Sequence, residues 1–147
     1  MGYYMRYIIS DKRSVAISTL EEALRRLDEK FSFVNIENEG GDLLYDGQLY
    51  GHLEVTGSRS ELFSIEIEEL REEVEESRGP QKKRVLKTLR DPRTVVAIQL
   101  LFGDREAEET LSKIGPLWEW LHKNREGVLQ ANGEGYYDRN GLILKIE

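Results

Sequence analysis

At 147 residues the chain has the length of one domain and can bury a core without a covalent staple. It has no cysteine, which excludes disulfides, thiolate zinc sites and a cysteine nucleophile together. Its net charge of −7 disfavours nucleic acid and anionic membranes as partners, because phosphate binding draws on an excess of Lys and Arg.

The first ten residues carry no basic region ahead of a long apolar core, so they do not read as a signal peptide, and a cytoplasmic location is expected. Tyr3 to Ile9 is aromatic and β-branched and reads as a buried strand. Ser18-Thr-Leu-Glu21 has the S-x-x-E form of a capping box, with Leu20, Ala23, Leu24 and Leu27 following at helical spacing. Phe31, Phe33, Val34 and Ile36 begin a strand that Gly40-Gly41 breaks or bulges. Leu43 to Tyr45 and Leu49 to Val55 flank Asp46-Gly47, a two-residue hairpin turn in which both positions tolerate positive φ.

The middle of the chain divides by charge. Eight glutamates fall between Glu61 and Glu76, with Arg71 against them. Arg78, Lys82, Lys83, Arg84, Lys87 and Arg90 follow with no acid among them, beyond the turn signal Gly79-Pro80. Phe63, Ile67, Leu70 and Val74 make a helical stripe, although Phe63, Ile65 and Ile67 also alternate as a strand would. The glutamate-rich continuation favours the helix. The segment therefore predicts a helical hairpin whose acidic and basic limbs attract one another.

Thr94 to Phe102 is almost wholly apolar and reads as a strand covered on both faces, too short and too interrupted at Gln99 to span a bilayer. Asp104 is the expected N-cap of a helix carrying Ala107, Leu111, Ile114, Trp118 and Leu121, which Pro116 should kink or restart. Strands follow at Val128 to Ala131, Tyr136-Tyr137 and Leu142 to Ile146. The two flanks share an order: strand, helix, strand, glycine interruption, Tyr-Asp at a turn, last strand. Glu21-Glu22-Ala23-Leu24 aligns with Glu108-Glu109-Thr110-Leu111, and Tyr45-Asp46 with Tyr137-Asp138. The fold class is then α+β, one domain over 1–147. Two β-α-β-β units (1–57 and 94–147) supply a mainly antiparallel sheet with helices on one face, and the hairpin (58–93) lies between them.

Two resemblances bear on this order. Lys82-Lys83-Arg84-Val85-Leu86, Pro116-Leu117-Trp118-Glu119-Trp120-Leu121, Gly133-Glu134-Gly135-Tyr136-Tyr137-Asp138 and Gly141-Leu142-Ile143-Leu144 are similar to a family of uncharacterised small soluble proteins of photosynthetic bacteria. That resemblance implies no activity. The doubled strand-helix-strand-strand order also resembles the SOUL and gyrase-inhibitor-like ligand-binding proteins. It implies their fold, and none of their ligand-contacting residues can be placed on this sequence.

Chemistry-bearing motifs are sparse. His52 and His122 lie in different halves, without metal-ligand spacing, and no cofactor is expected. Gly133-Glu-Gly135 lacks the third glycine and the helix of a dinucleotide fingerprint, and Gly79 to Arg84 is no P-loop. A Ser-His-Asp arrangement stays open, because triads are set by geometry and not by order. The sequence leans away from an enzyme and assigns no catalytic residue.

The aromatics supply the candidate binding residues. Tyr45 and Tyr137 occupy equivalent places, either packed in the core or stacked on a planar ligand in a cleft between the units. With Ala107, Leu111, Ile114 and Leu121 facing inward, Trp118 is inward too and Trp120 lies about 140° away. Trp120 is thus the candidate exposed anchor, unless Pro116 turns it inward or the C-terminal hairpin covers it. The favoured function is a non-catalytic protein-interaction module acting through an acidic and aromatic surface, with a protein partner or self-association. The alternative is a small-molecule binder using a cleft between the two repeats.

Overall fold

The structure, a computed structural model, describes residues 3–37 and 39–146. The first unit runs β1 (Tyr3–Ile9), α1 (Ile17–Leu27), β2 (Phe31–Glu37), β3 (Gly40–Tyr45) and β4 (Gln48–Gly57). The hairpin is α2 (Glu61–Glu75) and α3 (Lys82–Arg90). The second unit runs β5 (Thr94–Leu100), α4 (Ala107–Asn124), β6 (Gly127–Ala131), β7 (Gly135–Asp138) and β8 (Gly141–Lys145). The fold is α+β with an antiparallel sheet, as the pattern predicts. The glycine interruptions end strands rather than bend them, so each unit carries one strand more than expected.

The eight strands form one sheet in the order β2-β3-β4-β5-β1-β6-β7-β8, each paired antiparallel to its neighbours. β1 and β5 lie at its centre with apolar side chains on both faces. Met5, Tyr7, Ile9, Val96, Ile98 and Leu100 join a larger core with α1 and α4, while Ile8 and Val95 join a second core with α2 and α3. The unit helices thus share one face and the hairpin takes the other. The hairpin's core reaches β5, β1, β6, β7 and β8, through Val128, Tyr136 and Leu144. Neither β2, β3 nor β4 contributes to it.

Several local expectations fail for identifiable reasons. The capping box does not form: α1 begins at Ile17 behind Ala16, with no side-chain cap. Glu21 instead accepts the Phe33 backbone N–H at 2.7 Å, fastening α1 to β2. Asp104 caps nothing, since α4 starts behind Glu106. α4 does not restart at Pro116 but continues to Asn124. Asp46-Gly47 does form the hairpin turn, with φ of 52° and 77°. Gly127 is needed where β6 begins its pairing with β1, opposite Ile9, because a methyl group there would run into the Ile8 carbonyl.

α2 is a helix, and Phe63, Ile67, Leu70 and Val74 are all buried. Its pairing with α3 differs from the charge reading. Among the described residues no ion pair joins the limbs. Lys82 donates to the Glu75 carbonyl at 2.6 Å, Arg84 pairs with Asp138, and Glu66 pairs with Arg6. The limbs are held by Val74, Val85, Leu86 and Leu89 packing together and by the Lys82 hydrogen bond, and their glutamates and lysines other than Glu66 and Lys82 are exposed.

The connection after β1 is locked to the start of β6. Asp11 takes Arg125 in a fork, with Nη2 at 2.6 Å and Nε at 2.9 Å, and the Arg13 and Ser14 carbonyls accept from the same guanidinium. Arg125 is buried, and its hydrogen bonds hold the Asp11 carboxyl down at about 2 against the opposing effect of burial.

Two outcomes follow for stability. Reversing Lys83 and Lys87 to glutamate, and Glu69 and Glu72 to lysine, should give urea-melt effects that add within about 0.5 kcal/mol, because no direct contact couples them. A larger restoring term in the combined variant would place ion pairs between the limbs. Asp11→Ala leaves Arg125 buried without its counter-charge and should cost about 3–5 kcal/mol in the same melts. Because Asp11 ionises more readily folded than unfolded, the lock contributes fully above about pH 4 and is lost as pH falls through about 2.

Candidate functional site

The second sheet face is half covered, and cross-strand register sets what the uncovered half presents. Thr56, Val95, Ile8 and Val128 form one row across β4, β5, β1 and β6. Its last three members are apolar and carry the hairpin. The next row is Glu54, Ala97, Arg6 and Gln130. Beyond it come Asp42, His52, Gln99 and Tyr4 on β3, β4, β5 and β1. The face turns from apolar to charged in two steps of the pleat.

α2 overhangs this boundary. Between helix and strands lies a groove of about 440 Å³, with Tyr4, Arg6, Glu54 and Gln130 below and Leu62, Ile65, Glu69 and Glu73 above. Leu62 is 73% exposed and Ile65 50%, although both sit on a helix whose other apolar residues are buried. Ser60 helps start α2 here, its hydroxyl accepting from the Phe63 N–H at 3.5 Å.

Arg6 is the groove's one cation. It donates to Glu66 at 2.9 Å, to Gln130 at 2.9 Å and to Asn132 at 2.8 Å, and lies 5.3 Å over the Tyr4 ring. Glu66 therefore serves Arg6 and Glu54 has His52 beside it, while Glu69 and Glu73 remain to face the groove. Nearby, Tyr136 is wholly buried and its hydroxyl has no hydrogen-bond partner among the described residues. Burial above all, and the field of Glu73, raise its pKa, so it stays protonated.

His52 sits at the outer edge between two carboxylates. Its Nδ1 is 2.9 Å from Asp42 and its Nε2 3.4 Å from Glu54. Asn35, in the left-handed region at φ 52°, donates to the other Asp42 oxygen at 2.9 Å. The Asp42 hydrogen bond is the main cause that raises the His52 pKa. His122 is opposite: burial, aided by Arg139, lowers its pKa. Among the described residues no group of three or more His, Cys, Asp and Glu side chains is placed to hold a metal ion. Nor, among them, is any helix long and apolar enough to cross a membrane.

None of the three predicted binding residues enters the groove. Tyr45, Tyr137 and Trp120 all pack against the larger core, on the other face of the sheet. Tyr45 donates to Asp28 at 2.6 Å and Tyr137 to Glu134 at 2.8 Å. β3 and β7 stand five strand spacings apart, roughly 24 Å, so the two tyrosines do not line one inter-repeat cleft. Trp118 is buried as expected. Trp120 is half-buried rather than an exposed anchor, because the flank of α4 that carries it also rests on the larger core. Sequence reasoning missed Arg6, Glu54 and His52, which come together only through strand register. The one linear signal was Leu62 and Ile65, apolar residues off the buried stripe of α2.

Compared with known proteins, the chain matches no family model, no curated protein and no solved structure.

The histidines provide a direct check of this electrostatic picture. In an NMR pH titration His52 should titrate above the ordinary value of about 6.5 and His122 below it. Asp42→Asn should bring His52 down while His122 stays put. Coincident midpoints for the two rings would contradict the placement of Asp42 and Glu54.

Proposed function

We propose that the chain is a non-catalytic interaction module whose groove beside α2 receives a cationic amphipathic segment of a protein partner. The observation that carries this reading is the combination in one groove of Glu69 and Glu73, in no ion pair among the described residues, with exposed Leu62 and Ile65. Carboxylates alone are what any solvated helix shows. Carboxylates beside apolar side chains left in water fit a partner that brings both a positive charge and an apolar face. Tyr4 adds an aromatic surface to the same groove.

A second copy of the chain has part of this chemistry, since α3 exposes Lys83, Lys87 and Arg90. Its apolar side chains are buried, however, so it offers charge without the hydrophobic half. The groove's volume of about 440 Å³ also falls within the range of small-ligand sites, and a small aromatic cation is the second reading.

Fluorescence anisotropy with a labelled lysine- and leucine-rich amphipathic peptide tests the proposal. Binding should weaken roughly tenfold in Glu69→Lys/Glu73→Lys and in Leu62→Asp, and should weaken as salt rises from about 50 to about 500 mM. Trp120→Ala, on the other side of the sheet, should leave it unchanged. Equal affinity in the wild type and both groove variants would overturn the reading. A thermal shift with small aromatic cations but no peptide binding would favour the second one.

A further inference from the structure

The cavity at the other limb of the hairpin has the opposite character. It lies where the end of β1, α3, the C-terminal turn of α4 and the β7–β8 turn meet, and encloses about 440 Å³. Arg84, Lys87 and Arg139 enter it, with the hydroxyl residues Ser10 and Thr88 and the ring of His122. Tyr7 and Val128, both buried and on opposite faces of the sheet, lie at its floor beside Gly127.

Its charges can be accounted for one by one. Arg125 belongs to Asp11. Arg84 and Asp138 pair at 2.8 Å. Burial works to raise the Asp138 pKa, but the Arg84 hydrogen bond and the Asn140 N–H more than offset it, so it stays ionised. Asp91 has Arg93 at 3.5 Å. That leaves Lys87 and Arg139 against Glu126. Among the described residues Lys87 has no ion pair, and Arg139 uses one N–H on the His122 carbonyl at 2.7 Å. A guanidinium has five N–H donors, so both Arg84 and Arg139 keep most of theirs.

This is the one cavity with a positive balance among the five described. The groove beside α2 holds four carboxylates to one cation, the recess at His52 has Glu37, Glu39 and Glu54, and the other two are balanced. A positive cavity in a chain of net charge −7 stands out against the field of the rest of the molecule.

His122 adds a neutral donor and acceptor. Its ring stands edge-on to Tyr7 at 4.9 Å between centroids, and its nitrogens make no hydrogen bond among the described residues. The Tyr7 hydroxyl is already committed to the Arg125 carbonyl at 2.9 Å, which fixes the wall His122 rests on.

We propose that this cavity binds a small phosphate monoester, its phosphate held by Lys87, Arg139 and the free N–H groups of Arg84 and its organic part beside the His122 ring. Arginine forks and a lysine point charge match phosphate oxygens. The volume is well above what a bare phosphate fills and lies within the small-ligand range.

The test is an NMR titration of the full chain with phenyl phosphate, inorganic phosphate and benzoate, against sodium chloride at matched ionic strength. Phenyl phosphate should shift the His122 ring signals and saturate, with inorganic phosphate several-fold weaker and benzoate weaker still. Lys87→Ala/Arg139→Ala should weaken phenyl phosphate at least roughly tenfold, while Lys83→Ala, exposed on the same helix, should not change it. Both substitutions fall on surface side chains outside the core, and an unchanged spectrum elsewhere will confirm that the fold is retained. Shifts that do not saturate, that sodium chloride reproduces, or that persist in the double variant would overturn the proposal. Benzoate binding as tightly as phenyl phosphate would overturn it as well.

Discussion

The pairing of β1 with β5 is the constraint on which the rest of the molecule depends. The two strands run antiparallel in register from Tyr3 opposite Leu100 to Ile9 opposite Thr94. Both carry apolar side chains on both faces, so neither face can be left to water. The crossover helices α1 and α4 cover one face as a by-product of connecting parallel strands. Nothing in those connections covers the other. β4 and β5 are adjacent and antiparallel, and a short turn would join them. The chain instead spends its whole middle segment there. Covering Ile8, Val95 and Val128 is what the hairpin contributes, and its Phe63, Ile67, Val74 and Leu89 are the side chains that do it.

The two units repeat in element order but not in placement. From β1 the chain crosses β5, β4 and β3 to reach β2, then returns inward through β3 and β4. From β5 it crosses only β1 to reach β6, then moves outward through β7 to β8. Equivalent turns therefore finish at different distances from the centre. This is the physical reason that Tyr45 and Tyr137, aligned in sequence, share no cleft. It also leaves β2, β3 and β4 as the wing that the hairpin does not reach, and so creates the groove.

What was legible in the sequence is what depends on near neighbours along the chain. The stripe of α2 could be read because Phe63, Ile67, Leu70 and Val74 define a face whatever they pack on, and Asp46-Gly47 because positive φ is a local demand. The Ser18 capping box failed although its pattern is sound, because Glu21 found a stronger use on the Phe33 N–H of a strand ten residues away and more. The expected limb pairing failed for an energetic reason. Exposed ion pairs contribute only about 0–1 kcal/mol each, too little to orient two helices whose apolar residues already fix them. Trp120 was misplaced because an angle measured on one helix says nothing about how widely the sheet beneath it extends. Arg6, Glu54 and His52 could not be grouped at all, since their row exists only after β4, β5 and β1 are set in register.

Freed from one another, the charges of the hairpin act at separate places. α2 turns Glu69 and Glu73 toward the bare wing, while α3 turns Arg84 and Lys87 toward the end of α4 and the β7–β8 turn. No residue lines both cavities. Screening in physiological salt confines each charge to about 8 Å, so each cavity is governed chiefly by its own lining rather than by the net charge of the chain. Had the limbs paired, the glutamates and lysines would have neutralised one another at the surface, and both cavities would have lost their sign. The apolar seam of Val74, Val85, Leu86 and Leu89 makes that pairing unnecessary for the fold. Stability thus rests on the buried half of each helix, and the exposed halves are left to present one acidic and one basic surface from a single hairpin.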